Sequence, residues 1–406
     1  MNAPHIISLG CRMNIAESER MRAMLAGERD LVVVNSCAVT GEALAQTRKA
    51  IRRARRDHPE ARLVVTGCAA EIDRAMIGAM DEVDGLVANA AKLDPRSWNA
   101  SAREGGDPMP DSLRSPPSRG LTAGEYTRAF VAVQNGCDHA CTFCVIPQGR
   151  GPSRSLTIAE VLQEVGNHCA VGAQEVVLTG VDLTSWGHDL AGAPALGMLV
   201  QAILDEFHQL TRLRLSSVDG IEIDSLLFDL LVHEPRVMPH LHLSLQHGAD
   251  LILKRMKRRH LRRDAVDLVA RLKALRPDVA VGADLIAGFP TEDEAHHAAN
   301  LSIIDELDIV HAHVFPFSSR PGTPAARMPQ VAREVVKSRA AALRERAASR
   351  RAIWLAGLVG ETLPVLAERD GTGYAPNYAR VALPPSCVPG RIIDITVRGI
   401  EEGLLV

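Results

Sequence analysis

Three cysteines fall within eight residues, at Cys137, Cys141 and Cys144, directly after the apolar run AFVAVQ (129–134). A Cys-x-x-x-Cys-x-x-Cys spacing this tight brings three thiols to one centre, and it does so where a strand ends. Sites in parallel α/β sheets and barrels form at the C-terminal ends of strands, so the spacing constrains the fold as well as the chemistry. Three thiolates leave a closed zinc site one ligand short. A cubic 4Fe-4S cluster held by three cysteines keeps one iron open, as catalysis needs. The alternative is a zinc knuckle that borrows a distant ligand such as His139, stapling an RNA-binding protein without catalysis.

The rest of the chain supports a parallel sheet. Residues 1–100 alternate strand runs (5–10, 30–36, 62–67, 84–89) with helical patterns (14–26, 40–57, 69–80), the signature of strands covered on both faces. Residues 101–122, rich in Pro, Gly, Ser and charge, read as a linker. Over 123–357 the alternation resumes with strands expected at 129–134, 175–180, 212–217, 240–246, 279–289 and 309–317, and a long helix over about 331–356. Six strand–helix units suit a six-unit barrel, smaller than the eight-fold one; a doubly wound sheet competes. Residues 358–406 show short strand runs between Gly, Pro and Asn turns, expected to form a small all-β, OB-like unit.

A second set of cysteines shares one topological position. Cys11, Cys37 and Cys68 each follow a strand run, beside the small residues Gly10, Ser36 and Gly67. The C-terminal ends of neighbouring parallel strands lie along one sheet edge, so these thiols can meet in space. Cys169, in a helical pattern, and Cys387, in a Pro-rich turn, have no partner at ligand spacing and read as structural.

The start of the chain lacks a basic segment followed by a long apolar run, and no apolar stretch is long enough to span a bilayer. A cytoplasmic protein is therefore expected, with no membrane partner. In a reducing compartment, eight cysteines point to metal binding or catalysis rather than disulfides. A formal net charge of −3 excludes polyanion binding by bulk charge. Local patches remain: RKAIRRARR (48–56) and KRMKRRHLRR (254–263) suit phosphate contacts. His240, His242, His311 and His313 alternate along two strand runs and read chiefly as satisfied strand histidines.

With these residues in view, the chain resembles the methylthiotransferase family of radical S-adenosylmethionine enzymes along nearly its whole length. The resemblance rests on both cysteine triplets and on LTGVDLTSWG (178–187), RLRLSS (212–217), PHLHLSLQHGADLILKRMKRRH (239–260), DLIAGFPTE (284–292) and FPFSSRPGTPAARMP (315–329). LGCRMN (9–14) and NSCAVT (35–40) look most like the bacterial branch acting on threonylcarbamoyladenosine in tRNA. The isopentenyladenosine branch and the ribosomal-protein branch, which acts on an aspartate, are the alternatives. Departures are Trp186 in place of Tyr, His247 in place of a small residue, Val218-Asp219-Gly220 in place of Leu-Glu-Pro, and a short 26–30 segment.

The resemblance implies a cluster-binding N-terminal domain, a radical barrel and a C-terminal TRAM domain. It implies that Cys137, Cys141 and Cys144 hold the 4Fe-4S cluster that binds S-adenosylmethionine. Cys11, Cys37 and Cys68 would hold an auxiliary 4Fe-4S cluster. Phe143, Gly180, Asp182, Ser216, Ser217, Gln246 and Gly288 are the residues expected around S-adenosylmethionine. The implied product is a 2-methylthio-adenine at position 37, beside the anticodon, made with two S-adenosylmethionine molecules. The implied partners are a tRNA anticodon stem-loop and an electron donor such as a flavodoxin or ferredoxin.

Overall fold

The computed structural model describes residues 4–98 and 127–406; the expected linker, 101–122, lies outside them. The described residues form five sheets, of which a four-stranded one, a pair of three-stranded ones and a six-stranded one organise the chain. The first holds His5–Ser8, Leu31–Ser36, Arg62–Gly67 and Gly85–Leu86, side by side in chain order and all parallel. Leu31–Val34 and Leu63–Val65 are buried throughout, as strands covered on both faces must be. The following helices begin at Arg12, Gly41 and Cys68. Thr40 caps the second by accepting from the Ala43 N–H.

The middle of the chain forms six parallel strands in sequence order. Ala129–Ala132, Glu175–Thr179 and Arg212–Leu215 pair as one set, and His240–Gln246, Ala280–Ala287 and Ile309–Pro316 as another. Single parallel bridges, Leu213 to Val237 and Val218 to Leu243, join the sets. The strand order never reverses, which a doubly wound sheet requires, so the barrel-type reading holds. Leu241, Leu243 and Leu245 join the core beneath the helices, while His240 and His242 alternate to the other face.

The six-stranded sheet is small. Thr362–Ala367, Thr372–Tyr374, Arg380–Ala382 and Ile392–Thr396 pair antiparallel, and the short strands Ile400–Glu401 and Leu404–Leu405 extend them. The helix Arg333–Ala356 connects it to the last barrel strand. Its turn at 374–378 lies against the starts of the barrel strands. Arg212 donates to the Tyr374 carbonyl (3.0 Å), Arg214 to the Pro376 carbonyl (3.0 Å), and the His311 ring lies 3.1 Å from the Asn377 carbonyl.

The N-terminal sheet is seated on the barrel at several points. Met13 and Ala16 of the first helix pack on Ala132, with Phe130 and Val181 alongside. The Gly41 N–H donates to Ser318 Oγ (3.1 Å), and Arg320 pairs with Asp73 (3.1 Å). The helices Cys68–Ile72 and Ile146–Arg150 lie in contact, and a side chain at Gly149 would meet Ile72 at 3.0 Å. No helix among the described residues is long and apolar enough to cross a membrane.

Candidate active site

Cys11, Cys37 and Cys68 follow the strands His5–Ser8, Leu31–Ser36 and Arg62–Gly67, and Cys137 follows the short strand Gln134–Asn135. A Cβ at Gly149, in the helix that follows Cys144, would stand 3.6 Å from the Cys68 Cα, so the two triplets are brought close. All six thiols are free. Gly10 lets the first triplet close: with φ at +94°, a Cβ there would stand 2.7 Å from both Cβ and Sγ of Cys37. Gly136, at φ +76°, does the same before Cys137, where a Cβ would lie 1.9 Å from the Pro152 carbonyl oxygen.

The surroundings of the local triplet suit metal-bound sulfur. The His139 N–H points at Cys137 Sγ (3.4 Å), the Ile146 N–H at Cys144 Sγ (3.4 Å), and Arg258 Nη1 at Cys141 Sγ (3.7 Å). Such donors stabilise a negatively charged sulfur. Arg258 is held by Asp219 (2.8 Å) and by the Ser244 carbonyl (2.8 Å). Burial pushes the Cys137 thiol up to about 12 and those of Cys144 and Cys37 up to about 11. Thiols of this kind give up their protons when they bind a metal, so metal binding at them would release protons.

A buried polar junction lies between the triplets. Arg150 donates to both Glu17 oxygens (2.8 and 3.1 Å), to Asn135 (2.8 Å) and to Asn14 (2.6 Å). Lys92 reaches Glu17 (2.6 Å) and Asn35 (3.3 Å). Burial alone would raise the Glu17 carboxyl, but Arg150 and Lys92 outweigh it and hold it at about 2. Two cations share one carboxylate here, and Cys68 acts electrostatically on both. The excess positive charge suits thiolate ligands on either side.

Of the residues expected around S-adenosylmethionine, Asp182 lies beside Cys137. Asp182 Oδ2 lies 3.8 Å from Cys137 Sγ, 2.7 Å from His139 Nε2 and 2.7 Å from Ser185 Oγ. Burial would raise the Asp182 carboxyl, but the His139 bond brings it below its usual value, and Asp182 raises His139 in turn. At Gly180 a Cβ would meet Gln134 Oε1 at 2.9 Å, and that oxygen accepts from the Asp182 N–H. Ser216 is buried with its hydroxyl unpartnered in the protein, while Ser217 is half-buried beside it. Gln246 ends its strand after a bulge, at φ +71°.

Two of the set are held in apolar packing. Phe143 packs edge-on against Phe289 (6.4 Å) in an apolar cluster with Ile252 and Met256. Gly288 faces the long helix, where a Cβ would stand 2.5 Å from Val336 Cγ2, and its N–H donates to Glu292 (2.8 Å). Its glycine is required by helix packing.

Residues outside the expected set also converge here: His139, Arg258, Asp219 and Arg150. The unusual Asp219 is the anchor of Arg258. The other unusual residues are absorbed by packing: Trp186 is fully buried and donates to the Leu156 carbonyl (2.9 Å), and His247 pairs with buried Glu292. The four strand histidines join one cluster, with His242 and His313 each 3.1 Å from Asp284 and His240 stacked on Tyr378 at 4.8 Å.

The basic runs are partly consumed by the fold. Arg55 bonds Asp84 and the Glu82 and Ala61 carbonyls, Arg255 bonds Thr291, and Arg262 bonds the Gly248 and Ala299 carbonyls. Lys49, Arg52, Arg56, Lys254 and Lys257 remain on the surface.

Residues 131–301 match the family model for the radical SAM superfamily, and residues 4–88 match the model for uncharacterized protein family UPF0004. Threonylcarbamoyladenosine tRNA methylthiotransferase MtaB of Rickettsia prowazekii is 40% identical over 98% of this chain and 96% of its own length. The tRNA-2-methylthio-N(6)-dimethylallyladenosine synthase of Maricaulis maris is 31% identical over 90% of this chain and 86% of its own. Among solved structures, the radical S-adenosylmethionine methyltransferase TsrM of Kitasatospora setae superposes with a TM-score of 0.53 at 17% identity, over 77% of this chain and 67% of that one. That likeness supports the fold, and the sequence matches decide against a non-catalytic zinc-stapled protein.

Proposed function

Because the chain belongs to the radical S-adenosylmethionine methylthiotransferase family, we propose that it adds a methylthio group to C2 of threonylcarbamoyladenosine in tRNA, at position 37 beside the anticodon. The observation that carries the reading is that the helix beginning at Cys68 of one triplet packs on Ile146–Arg150, the helix that follows Cys144 of the other. Cys137, Cys141 and Cys144 would hold the radical 4Fe-4S cluster, and Cys11, Cys37 and Cys68 the auxiliary one. With S-adenosylmethionine, these groups supply radical chemistry at an inert C–H bond and the sulfur to be transferred.

The chain's own residues do the positioning. Backbone N–H groups of His139 and Ile146 and the Arg258 guanidinium stabilise the ligand sulfurs. Asp182 and the unpartnered Ser216 hydroxyl offer polar contacts to S-adenosylmethionine at the strand ends. The Glu17–Lys92–Arg150 junction ties the helix Arg12–Met24 to Ile146–Arg150, the helix that follows the local triplet. The target base lies in an RNA loop, where bases can be splayed out and drawn into a pocket. The exposed lysines and arginines of both basic runs would meet phosphates of the anticodon stem-loop. A flavodoxin or ferredoxin would supply the electron.

The test is deletion of the gene in its host, mass spectrometry of digested total tRNA, and complementation with wild type and Cys141→Ala. Loss of 2-methylthio-threonylcarbamoyladenosine with accumulation of its precursor, restored by wild type alone, is expected. An unchanged level of that nucleoside with loss of the methylthio-dimethylallyl form would move the substrate to the branch of the Maricaulis relative.

A further inference from the structure

The substrate proposed above carries a charge that its dimethylallyl counterpart lacks. A threonine attached through its nitrogen to a carbamoyl group retains a free carboxylate. A site that draws this base out of water must pair that carboxylate or pay for its desolvation.

The ion pairing around Tyr378 leaves one cation over. Three guanidiniums surround the ring, with Arg214 at 4.5 Å, Arg12 at 5.5 Å and Arg128 at 5.6 Å from its centroid. Arg214 forks onto Glu175 (3.0 and 3.2 Å), and Arg128 pairs with Glu368 (2.8 Å). Arg12 has no carboxylate within ion-pair distance among the described residues. Its one side-chain hydrogen bond runs to Tyr378 Oη (3.0 Å), which also accepts from Arg128 (2.6 Å). Arg12 is half-buried and adjoins Cys11, which is exposed. Its guanidinium stands with Tyr378 near the starts of the barrel strands, while its backbone follows directly on Cys11.

The neighbouring wall does not oppose an anion. Asp284 is engaged by both His242 and His313. Tyr378 itself holds φ at +69°, a left-handed conformation costly for a tyrosine, with its ring stacked on His240 and tilted against Tyr374. Strain of this kind persists where a side chain is placed for a purpose.

We infer that Arg12, positioned by Tyr378, binds the carboxylate of the substrate's threonylcarbamoyl group and thereby selects this base over an alkylated adenosine. The inference rests on the proposed reaction for the identity of the ligand. The anion at Arg12 is the base's carboxylate and not a backbone phosphate, because Arg12 adjoins a cluster-ligand cysteine while the lysines of the basic runs remain outside for phosphates.

The experiment uses the full chain with reconstituted clusters and two anticodon stem-loop RNAs, one bearing threonylcarbamoyladenosine and the other its methyl ester. Wild type is expected to bind the acid about tenfold tighter than the ester, the worth of one charge-assisted contact. Arg12→Met is expected to bind both at the ester's level. Arg12→Lys, which keeps the charge, retains part of the preference, and Tyr378→Phe, which keeps the ring, loses part of it. Iron content and thermal midpoint check that each variant folds. Undiminished preference for the acid in Arg12→Met overturns the inference, as does an equal loss of affinity for both RNAs, the mark of a phosphate contact. The inference and the proposed reaction fail separately. Preference for the acid without methylthio product sinks the reaction and leaves Arg12's role standing; equal product from acid and ester sinks Arg12's role and leaves the reaction.

Discussion

The two cysteine triplets are assembled by opposite routes. Cys137, Cys141 and Cys144 are gathered by one loop, with donors from its own backbone at His139 and Ile146. Cys11, Cys37 and Cys68 come from three strand ends, and their environment comes from elsewhere: Gly10 makes room, while Arg150 and Lys92 bring charge. A loop site depends on local sequence; a sheet-edge site depends on strand register and on whatever holds the sheet in place.

The largest effect separates the sites outright. Cys141→Ala should abolish all product and all cleavage of S-adenosylmethionine. Cys68→Ala should abolish methylthio transfer while cleavage continues. In each, iron should fall to about half of the wild-type content, one of two cubic clusters being lost. If Cys68→Ala also stops cleavage, the two sites are not independent.

Next comes the junction between them. Arg150→Met leaves Glu17 buried with Lys92 alone and should cost about 3–5 kcal/mol, the range for breaking a buried ion pair. Urea unfolding reads it, and the dispersed triplet should lose its cluster before the local one does. Acid should act in the same place. The Glu17 carboxyl is depressed in the folded protein, so its contribution is present above the usual 4.5 and lost as pH falls toward about 2. Hydrogen exchange between those pH values should show the Arg12–Met24 helix loosening ahead of the barrel.

A smaller effect probes the sheet edge. Gly10→Ala places a Cβ against Cys37 Sγ at a positive φ, costing about 1–3 kcal/mol of local strain. Auxiliary iron should be reduced with the radical cluster intact; equal loss from both would argue against a separately built edge. The smallest change is electrostatic. Arg258→Met removes a cation from Cys141 without removing a ligand. Both clusters should form, and the radical cluster's potential should shift to more negative values, read by redox titration.

The legibility of the residues follows the same division. The local triplet was readable because its ligands are neighbours in sequence. The dispersed triplet was readable only through the pattern of strand ends, which the sheet Leu31–Ser36 with its parallel neighbours confirms. Asp182 lies beside Cys137, and Phe143 and Gly288 lie in apolar packing. Glu17, Lys92 and Arg150 carried no sequence signal, since a charged residue in a helical pattern looks the same whether it meets water or a buried partner. Arg258 was read as part of a basic run for RNA, yet it turns inward to Asp219 and Cys141.

By itself the sequence determined the parallel α/β order, the strand ends that carry sulfur, and the family to which the chain belongs. Those depend on local periodicity and ligand spacing, both written along the chain. Tertiary structure alone decided that the helix beginning at Cys68 packs on the one that follows Cys144, that two cations share Glu17 between them, and that Tyr378 of the last sheet meets Arg12 of the first helix. The reason is physical: each is a contact between residues far apart in sequence, set by how separate sheets pack, and such packing leaves no period in the chain to read.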